Sequence, residues 1–200
     1  LEEADFQMSE LSCHAKGAYF LFPNVRTIID IGGQDAKALK IGDNGMLENF
    51  VMNDKCAAGT GRFLDVIAKV LEVDVSKLEE LDKLSTKDVS ISSTCTVFAE
   101  SEVISQLASG SKIEDIVKGI HDSIAARVGS LAKRVGLNDD VVFTGGVALN
   151  KGMVRALEEN TGHKIHTSPL CQLNGALGAA LFGYQKCKLE KLKANKKANA

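Results

Sequence analysis

The sequence predicts an α/β protein in which helices cover a mixed sheet. Three strand-like segments joined by tight turns follow one another near the start of the chain, which is typical of an antiparallel meander. A long amphipathic helix then precedes an apolar strand that ends on two glycines. The 200 residues are enough for one large domain or two small ones, and no internal repeat or linker-like stretch divides the chain.

Composition indicates a folded protein without a strong overall field. Hydrophobic residues make up 44% of the chain and charged residues 25%, the balance of globular domains. Lys and Arg number 24 against 26 Asp and Glu, so general attraction to nucleic acid or to an anionic membrane is not expected. The apolar runs are too short to cross a bilayer and the first residues are acidic, so we expect a cytoplasmic protein without a membrane anchor.

The first part of the chain predicts one helix and three strands. A helix-like stretch ends at Pro23, and a β-branched run follows it. A turn at 32–35 and a hairpin turn at 42–45 then separate two further strands. The predicted elements are a helix over 6–22 and strands over 25–31, 36–41 and 46–52.

The remaining chain predicts alternating helices and strands. The clearest helix is 113–135, because its apolar residues recur at spacings of three and four and Gly136 follows as a stop. The Lys-rich stretch 186–200 is expected to be a solvated helix end. Further helices are predicted over 60–73, 97–107, 151–159 and 175–186, and strands over 89–95, 140–144 and 165–167.

The first candidate site is the turn that follows strand 25–31. Gly32 and Gly33 let backbone N–H groups approach a phosphate without a Cβ in the way. Asp30 and Asp35 could hold Mg²⁺ through water, and Gln34 could orient an attacking water molecule. A hairpin turn that binds nothing is the alternative interpretation.

The second candidate site is Gly145 and Gly146, which follow the apolar strand 140–144 and precede a helix. Open α/β sheets bind ligands at such strand ends, although an ordinary strand-to-helix turn has the same pattern. Neither glycine pair belongs to a P-loop or a G-x-G-x-x-G motif. In this order the two turns resemble the second phosphate hairpin and the adenosine loop of the actin, Hsp70 and sugar-kinase ATPases. The resemblance implies ribonuclease H-like lobes that bind ATP and Mg²⁺.

Two cysteines are candidate metal ligands. Cys56 and Cys95 each come shortly before a predicted helix, and a helix N-terminus favours the thiolate, the form that binds metals. An iron-sulfur cluster usually takes four thiolates, so a twofold dimer would have to supply the other two to one bridging [4Fe-4S] cluster. The alternative is that both cysteines are small buried hydrophobic residues.

Long ordered motifs carry a closer resemblance, and they lie at 7–15, 30–35, 53–64, 92–103 and 144–147. The chain is similar to the activators, or component A, of 2-hydroxyacyl-CoA dehydratases, most fully to the (R)-2-hydroxyglutaryl-CoA subgroup, and to the related ATPase subunits of benzoyl-CoA reductases. The resemblance implies an oxygen-sensitive homodimeric ATPase with one [4Fe-4S] cluster ligated by Cys56 and Cys95. Ferredoxin or flavodoxin would reduce it, and ATP hydrolysis would drive one electron to the dehydratase component.

The superfamily's first phosphate loop, Asp-x-Gly-Ser-Thr, does not occur in the chain. We therefore expect the N-terminal part of the fold to be missing, with 1–50 as the remainder of the first lobe. Residues 51–184 would form the cluster-binding and nucleotide lobe, and 185–200 the tail.

Two alternative functions remain open from the sequence. One is an ATPase subunit of a benzoyl-CoA reductase-type enzyme. The other is a cluster-free ATPase or kinase of the same fold, in which both cysteines are structural. Structural roles are expected for Cys13 and His14, and the acyl-CoA substrate is left undetermined because the partner dehydratase selects it.

Overall fold

A computed structural model describes residues 6–92 and 95–198, which form a mixed five-stranded sheet with helices on both faces. The strands are β1 (Thr27–Ile31), β2 (Ala36–Ile41), β3 (Leu47–Asn53), β4 (Val141–Thr144) and β5 (Ile165–His166). The α-helices are α1 (Glu10–Leu21), α2 (Gly61–Val70), α3 (Leu78–Leu84), α4 (Thr96–Ala108), α5 (Ile113–Val135), α6 (Lys151–Thr161) and α7 (Asn174–Ala198). Short 3₁₀ turns lie at Val75–Lys77, Gly146–Leu149 and Cys171–Leu173.

The strand order is β3-β2-β1-β4-β5. Strands β1, β2 and β3 pair antiparallel, which confirms the predicted meander, whereas β4 pairs parallel with both β1 and β5. In this register Asp30 lies opposite Lys37 on one side and opposite Thr144 on the other. One row of polar residues therefore crosses three neighbouring strands on a single face of the sheet.

The two faces of the sheet form separate cores. Ile29 and Phe143 belong to the larger core, which also contains the buried stripe of α5. Ile28, Leu39 and Val142 pack on the opposite face, in the smaller core that α1 covers. Since side chains alternate along a strand, Asp30 lies on the same face as Ile28, beneath α1.

A buried polar network ties three helices together. Asp82 of α3 accepts hydrogen bonds from Arg155 of α6, at 3.0 Å from Nε and 2.8 Å from Nη2. His121 of α5 is completely buried, with Nδ1 3.0 Å from Asp82 and Nε2 3.1 Å from the amide nitrogen of Asn150. Because the amide oxygen of Asn150 caps Met153, its nitrogen donates to Nε2, and Nδ1 therefore donates to Asp82.

Most predicted elements are confirmed, and α5 has the predicted bounds, with Gly136 as the residue that caps it at φ of 90°. The strand predicted over 89–95 is wrong: residues 89–92 are irregular, while 93 and 94 lie outside the described residues. The carbonyl of Val89 instead lies against Gly119 of α5, so this segment packs under a helix and pairs with no strand. The seven-residue α3 was not predicted, because so short a helix shows little periodicity.

The Lys-rich stretch is the end of a helix, as predicted, since α7 continues through it to Ala198. No helix in the described part of the chain has both the length and the apolar character needed to span a membrane. Strand β3 continues across residue 50, the predicted limit of the first lobe, and the division into 1–50, 51–184 and 185–200 stays a prediction.

Candidate functional site

A cleft of about 770 Å³ opens at the carboxyl ends of the parallel strands β1 and β4. Both glycine turns contribute to its wall, as do α1, the first turn of α2 and the 3₁₀ segments that follow α2 and β4. Its lining residues are Glu10, His14, Asp30, Gly32, Gly33, Asp35, Lys37, Gly61, Leu64, Asp65, Val75, Ser76, Glu79, Gly145, Gly146, Val147, Leu149, Asn150 and Gln172. Carboxyl ends of parallel strands are where open α/β sheets bind their ligands.

The first glycine turn closes the β1-β2 hairpin. The Gly32 N–H donates to the Asp35 carbonyl at 3.0 Å, and Gly33 is exposed. The carbonyls of Gly32 and Gly33 accept hydrogen bonds of 2.8 Å from the N–H groups of Gly61 and Arg62. The hairpin is therefore joined directly to the first turn of α2.

The second glycine turn leaves β4 in a conformation that requires glycine. Gly145 has φ of 88°, and a Cβ at this position would collide with the carbonyl oxygen of Ile31. The Gly145 N–H donates to the Cys171 carbonyl at 3.0 Å. Strand β4 thus passes close to β1 at the base of the cleft, which brings the two glycine turns together.

Charged groups form a compact cluster at one end of the cleft. Asp30 is buried and accepts a 2.6 Å hydrogen bond from the Thr144 hydroxyl, while His14 Nδ1 lies 3.4 Å from the same carboxylate oxygen. The Lys37 ammonium lies 2.7 Å from Asp35, 3.0 Å from Glu10 and 3.6 Å from Asp30. Three carboxylates from three elements therefore surround one ammonium.

The charge of Lys37 is stabilised by these partners. Burial alone would lower the pKa of its ammonium, but hydrogen bonds to Asp35 and Glu10, together with the charge of Asp30, raise that pKa above its ordinary value. The ammonium is therefore protonated throughout the physiological range.

The two candidate metal ligands lie outside the lining of this cleft. Cys56 is half-buried in the turn between β3 and α2, five residues before α2 begins, so it is not at the helix N-terminus itself. Asn53 organises this turn: its amide donates to the carbonyls of Cys56 and Ala58, at 2.8 and 3.1 Å, and accepts from the Cys56 N–H at 3.3 Å. Cys95 is the half-buried N-cap residue of α4.

The thiol donors match an iron-sulfur cluster in chemical type but not in number. All five cysteines are thiols, and residues 6–92 and 95–198 contain no group of three or more His, Cys, Asp or Glu that could hold a metal ion. Cys56 and Cys95 are two thiols, whereas a four-iron cluster usually takes four. Cys13 and Cys171 are buried within the fold, and burial raises the pKa of both thiols.

Comparison with known proteins identifies the family. The model of the BadF/BadG/BcrA/BcrD ATPase family matches residues 2–183. The chain belongs to this family. Its fold is that of the actin, Hsp70 and sugar-kinase ATPases, as predicted. A glucokinase from Streptomyces griseus shares this fold alone, with a TM-score of 0.50 at 14% identity. The similarity covers 87% of this chain and 66% of the kinase.

Family members of known role are much more similar. The (R)-2-hydroxyglutaryl-CoA dehydratase activating ATPase of Acidaminococcus fermentans is 66% identical over 183 residues, which is 92% of this chain and 70% of that protein. The crystal structure of this component A has a TM-score of 0.89 at the same coverage. The 2-hydroxyisocaproyl-CoA dehydratase activator of Clostridioides difficile is 61% identical over 186 residues, 93% of this chain and 70% of that protein. Its structure with bound ADPNP has a TM-score of 0.92, over 96% of this chain and 71% of that one.

Within this ATPase-family chain, the structure brings most of the predicted nucleotide residues into one cleft. Those that line it are Asp30, Gly32, Gly33, Asp35, Gly145 and Gly146. Gln34, the predicted water-orienting residue, is exposed at the hairpin tip and is not among the lining residues. The assignment of roles to these residues remains a prediction.

Sequence reasoning missed several residues of the cleft. Glu10 and Lys37 received no role, and His14 was expected to be structural, yet all three line the cleft and contact one another or Asp30. The sequence offered one signal of this cluster. Lys37 alternates with Leu39 and Ile41 along the predicted strand, at a position where an apolar residue is usual.

Proposed function

We propose that this protein is a cytoplasmic, ATP-dependent one-electron carrier that activates a 2-hydroxyacyl-CoA dehydratase. It would work as a homodimer that shares one [4Fe-4S] cluster, with ferredoxin or flavodoxin as electron donor. Family membership and the two activators of more than 60% identity support this class of function.

One structural observation carries the coupling part of the proposal. The Gly32 and Gly33 carbonyls bind the first two N–H groups of α2, and the turn that contains Cys56 leads directly into that helix. Movement of the hairpin around a phosphate would therefore shift the start of α2 and with it the Cys56 turn. This short path of backbone hydrogen bonds connects the proposed ATP site to a proposed cluster ligand.

The proposed nucleotide site uses backbone groups and carboxylates. The turns at Gly32–Gly33 and Gly145–Gly146 would bind the phosphates and the nucleoside, since both expose backbone close to the cleft. Asp30 and Asp35 would hold Mg²⁺ through water, and Gln34 would orient the attacking water molecule. These oxygen donors suit Mg²⁺, which usually takes one or two carboxylates, several waters and the phosphates of its substrate.

The proposed cluster site uses the thiolates of Cys56 and Cys95 from each of two chains. A [4Fe-4S] cluster supplies a one-electron redox couple. Asn53 would hold the Cys56 turn in place through its three hydrogen bonds. Thr60 adds a further restraint, because its hydroxyl donates to the Ala57 carbonyl at 2.6 Å.

The deciding experiment measures iron and acid-labile sulfide after strictly anaerobic reconstitution, together with the size of the protein in solution. We expect about two irons per chain in a dimer, which is one four-iron cluster shared by two chains. Cys56→Ala and Cys95→Ala should lose the iron, whereas Cys187→Ala, at an exposed cysteine of α7, should retain it.

ATP hydrolysis is measured on the same samples. A folded dimeric protein that hydrolyses ATP but binds no iron would overturn the electron-carrier proposal in favour of a cluster-free ATPase of the same fold. Iron retained in both Cys56→Ala and Cys95→Ala would show that other residues ligate it. Circular dichroism on every variant separates loss of a ligand from loss of folding.

A further inference from the structure

Lys37 is a buried cation in the middle of a strand. Its side chain is only 3% exposed, which is rare for lysine unless the ammonium is paired. It alternates with Leu39 and Ile41 along β2, and these two residues pack in the apolar core under α1. The ammonium therefore occupies a position on β2 where an apolar side chain would suit the strand.

The partners of Lys37 come from three separate elements. Asp35 belongs to the hairpin tip, Glu10 begins α1, and Asp30 ends β1. Three carboxylates this close would repel one another without a cation between them. The ammonium therefore keeps the hairpin, the strand and the helix together at the end of the cleft that Gly32 and Gly33 line.

The two aspartates depend on Lys37 to different degrees. Asp30 is also held by Thr144, at 2.6 Å, and faces His14. Asp35 is 31% exposed, and its carboxylate forms an ion pair with Lys37 at 2.7 Å. Of the two aspartates, Asp35 would therefore lose its orientation more readily if the ammonium were removed, and its side chain is also the more exposed, at 31% against 4% for Asp30.

We propose that Lys37 is a positioning residue for ATP hydrolysis, which holds the Asp35 carboxylate and the hairpin tip in the orientation that the reaction needs. This inference rests on the proposed ATPase function of the cleft. Because Lys37 acts through Asp35, its removal should impair the same step as removal of Asp35 and should have no additional effect once Asp35 is gone.

Steady-state ATP hydrolysis tests the proposal in Lys37→Met, which is close to lysine in shape but uncharged. We expect kcat to fall on the order of 100-fold with KM for ATP little changed, because a small misplacement of a reacting group has effects of that size. Lys37→Arg, which retains the charge, should recover at least part of the loss. Lys40→Met is the matched control, since Lys40 lies on the same strand but is paired with Glu48 outside the cleft.

The double variant Lys37→Met/Asp35→Asn separates positioning from a general structural role. If Lys37 acts through Asp35, the double variant should have the kcat of Asp35→Asn alone, because the two residues work as a unit. Multiplied losses in kcat would overturn the proposal, as would a folded Lys37→Met with the kcat of Lys40→Met.

Hydrogen exchange in the nucleotide-free protein provides a readout that does not depend on activity. Amides of residues 33–36 should exchange faster in Lys37→Met and in Asp35→Asn than in Lys40→Met, and Lys37→Arg should retain their protection. Unchanged exchange in Asp35→Asn would overturn the anchoring role even if Lys37→Met fails to fold. A wild-type protein that hydrolyses no ATP would refute the proposed function, whereas altered exchange would still show the anchor.

Discussion

Replacing Asp82 by Asn should destabilise the protein, because it removes the negative charge of one buried carboxylate. Burial alone would raise the pKa of Asp82, but hydrogen bonds from His121 and Arg155 lower it from 3.8 to about 2. At about 1.4 kcal/mol for each tenfold change in proton affinity, this lowering corresponds to about 2.5 kcal/mol of folding free energy. Asp82→Asn removes the charge and retains the shape, so it should lose about that amount at pH 7.

The pH dependence follows from the direction of the shift. A carboxylate whose pKa is lower in the folded state contributes stability above its ordinary pKa and loses it as the pH falls toward the folded value. The difference in unfolding free energy between wild type and Asp82→Asn should therefore be equal at pH 7 and pH 5. It should shrink to about half at pH 3.

Urea denaturation at these three pH values measures the difference, with linear extrapolation to water. Asp88→Asn is the control, because Asp88 pairs with Lys118 at the surface and its loss should leave the midpoint nearly unchanged. A difference below about 0.5 kcal/mol at pH 7 would refute the reasoning, since that is the range of ordinary surface substitutions. A difference that does not change between pH 5 and pH 3 would also refute it.

Two further changes test the glycine turn and the Cys56 turn. Gly145→Ala should lower the melting temperature and weaken ADP binding, because φ of 88° and the Ile31 carbonyl both exclude a Cβ. The control, Gly33→Ala, should retain the wild-type melting temperature, because an added Cβ there meets no described atom within 4 Å. Equal melting temperatures for the two variants would contradict the argument. Asn53→Ala should cost about 1–3 kcal/mol of folding free energy and speed iron loss to a chelator, since it removes the hydrogen bonds that hold the Cys56 turn. Asn49→Ala is the control, because the Asn49 side chain accepts from the Phe50 N–H instead. Equal iron retention in the two variants would contradict this role of Asn53.

Local sequence patterns were sufficient to predict the helices and hairpins whose formation depends on neighbouring residues. The apolar stripe and the terminal Gly136 predicted α5 with its observed bounds, because a helix face and a left-handed cap are properties of neighbouring residues. The hairpin turns predicted the meander for the same reason. Val89 and Ile91 show the limit of this reasoning, since a strand also needs a partner strand and residues 89–92 lie under α5 instead.

The candidate site likewise contains residues that the sequence predicted and residues that it did not. Glycines after two strands were visible as motifs, and most of the residues predicted to bind a nucleotide line one cleft. The Lys37 cluster was not visible, because its members lie on α1, β1, the hairpin and β2 and meet only when the sheet register is formed. The Asp82, His121 and Arg155 network likewise joins three helices that are far apart in the chain.

The sequence by itself therefore determined the fold class, the two glycine turns and the thiols that could bind a metal. Each of these follows from residue type and spacing over a few positions. Only the tertiary structure decided which charges are buried and what neutralises them. A buried ion is stabilised by partners contributed by distant segments, and the pairing of strands and the packing of helices, which no local pattern encodes, bring those segments together.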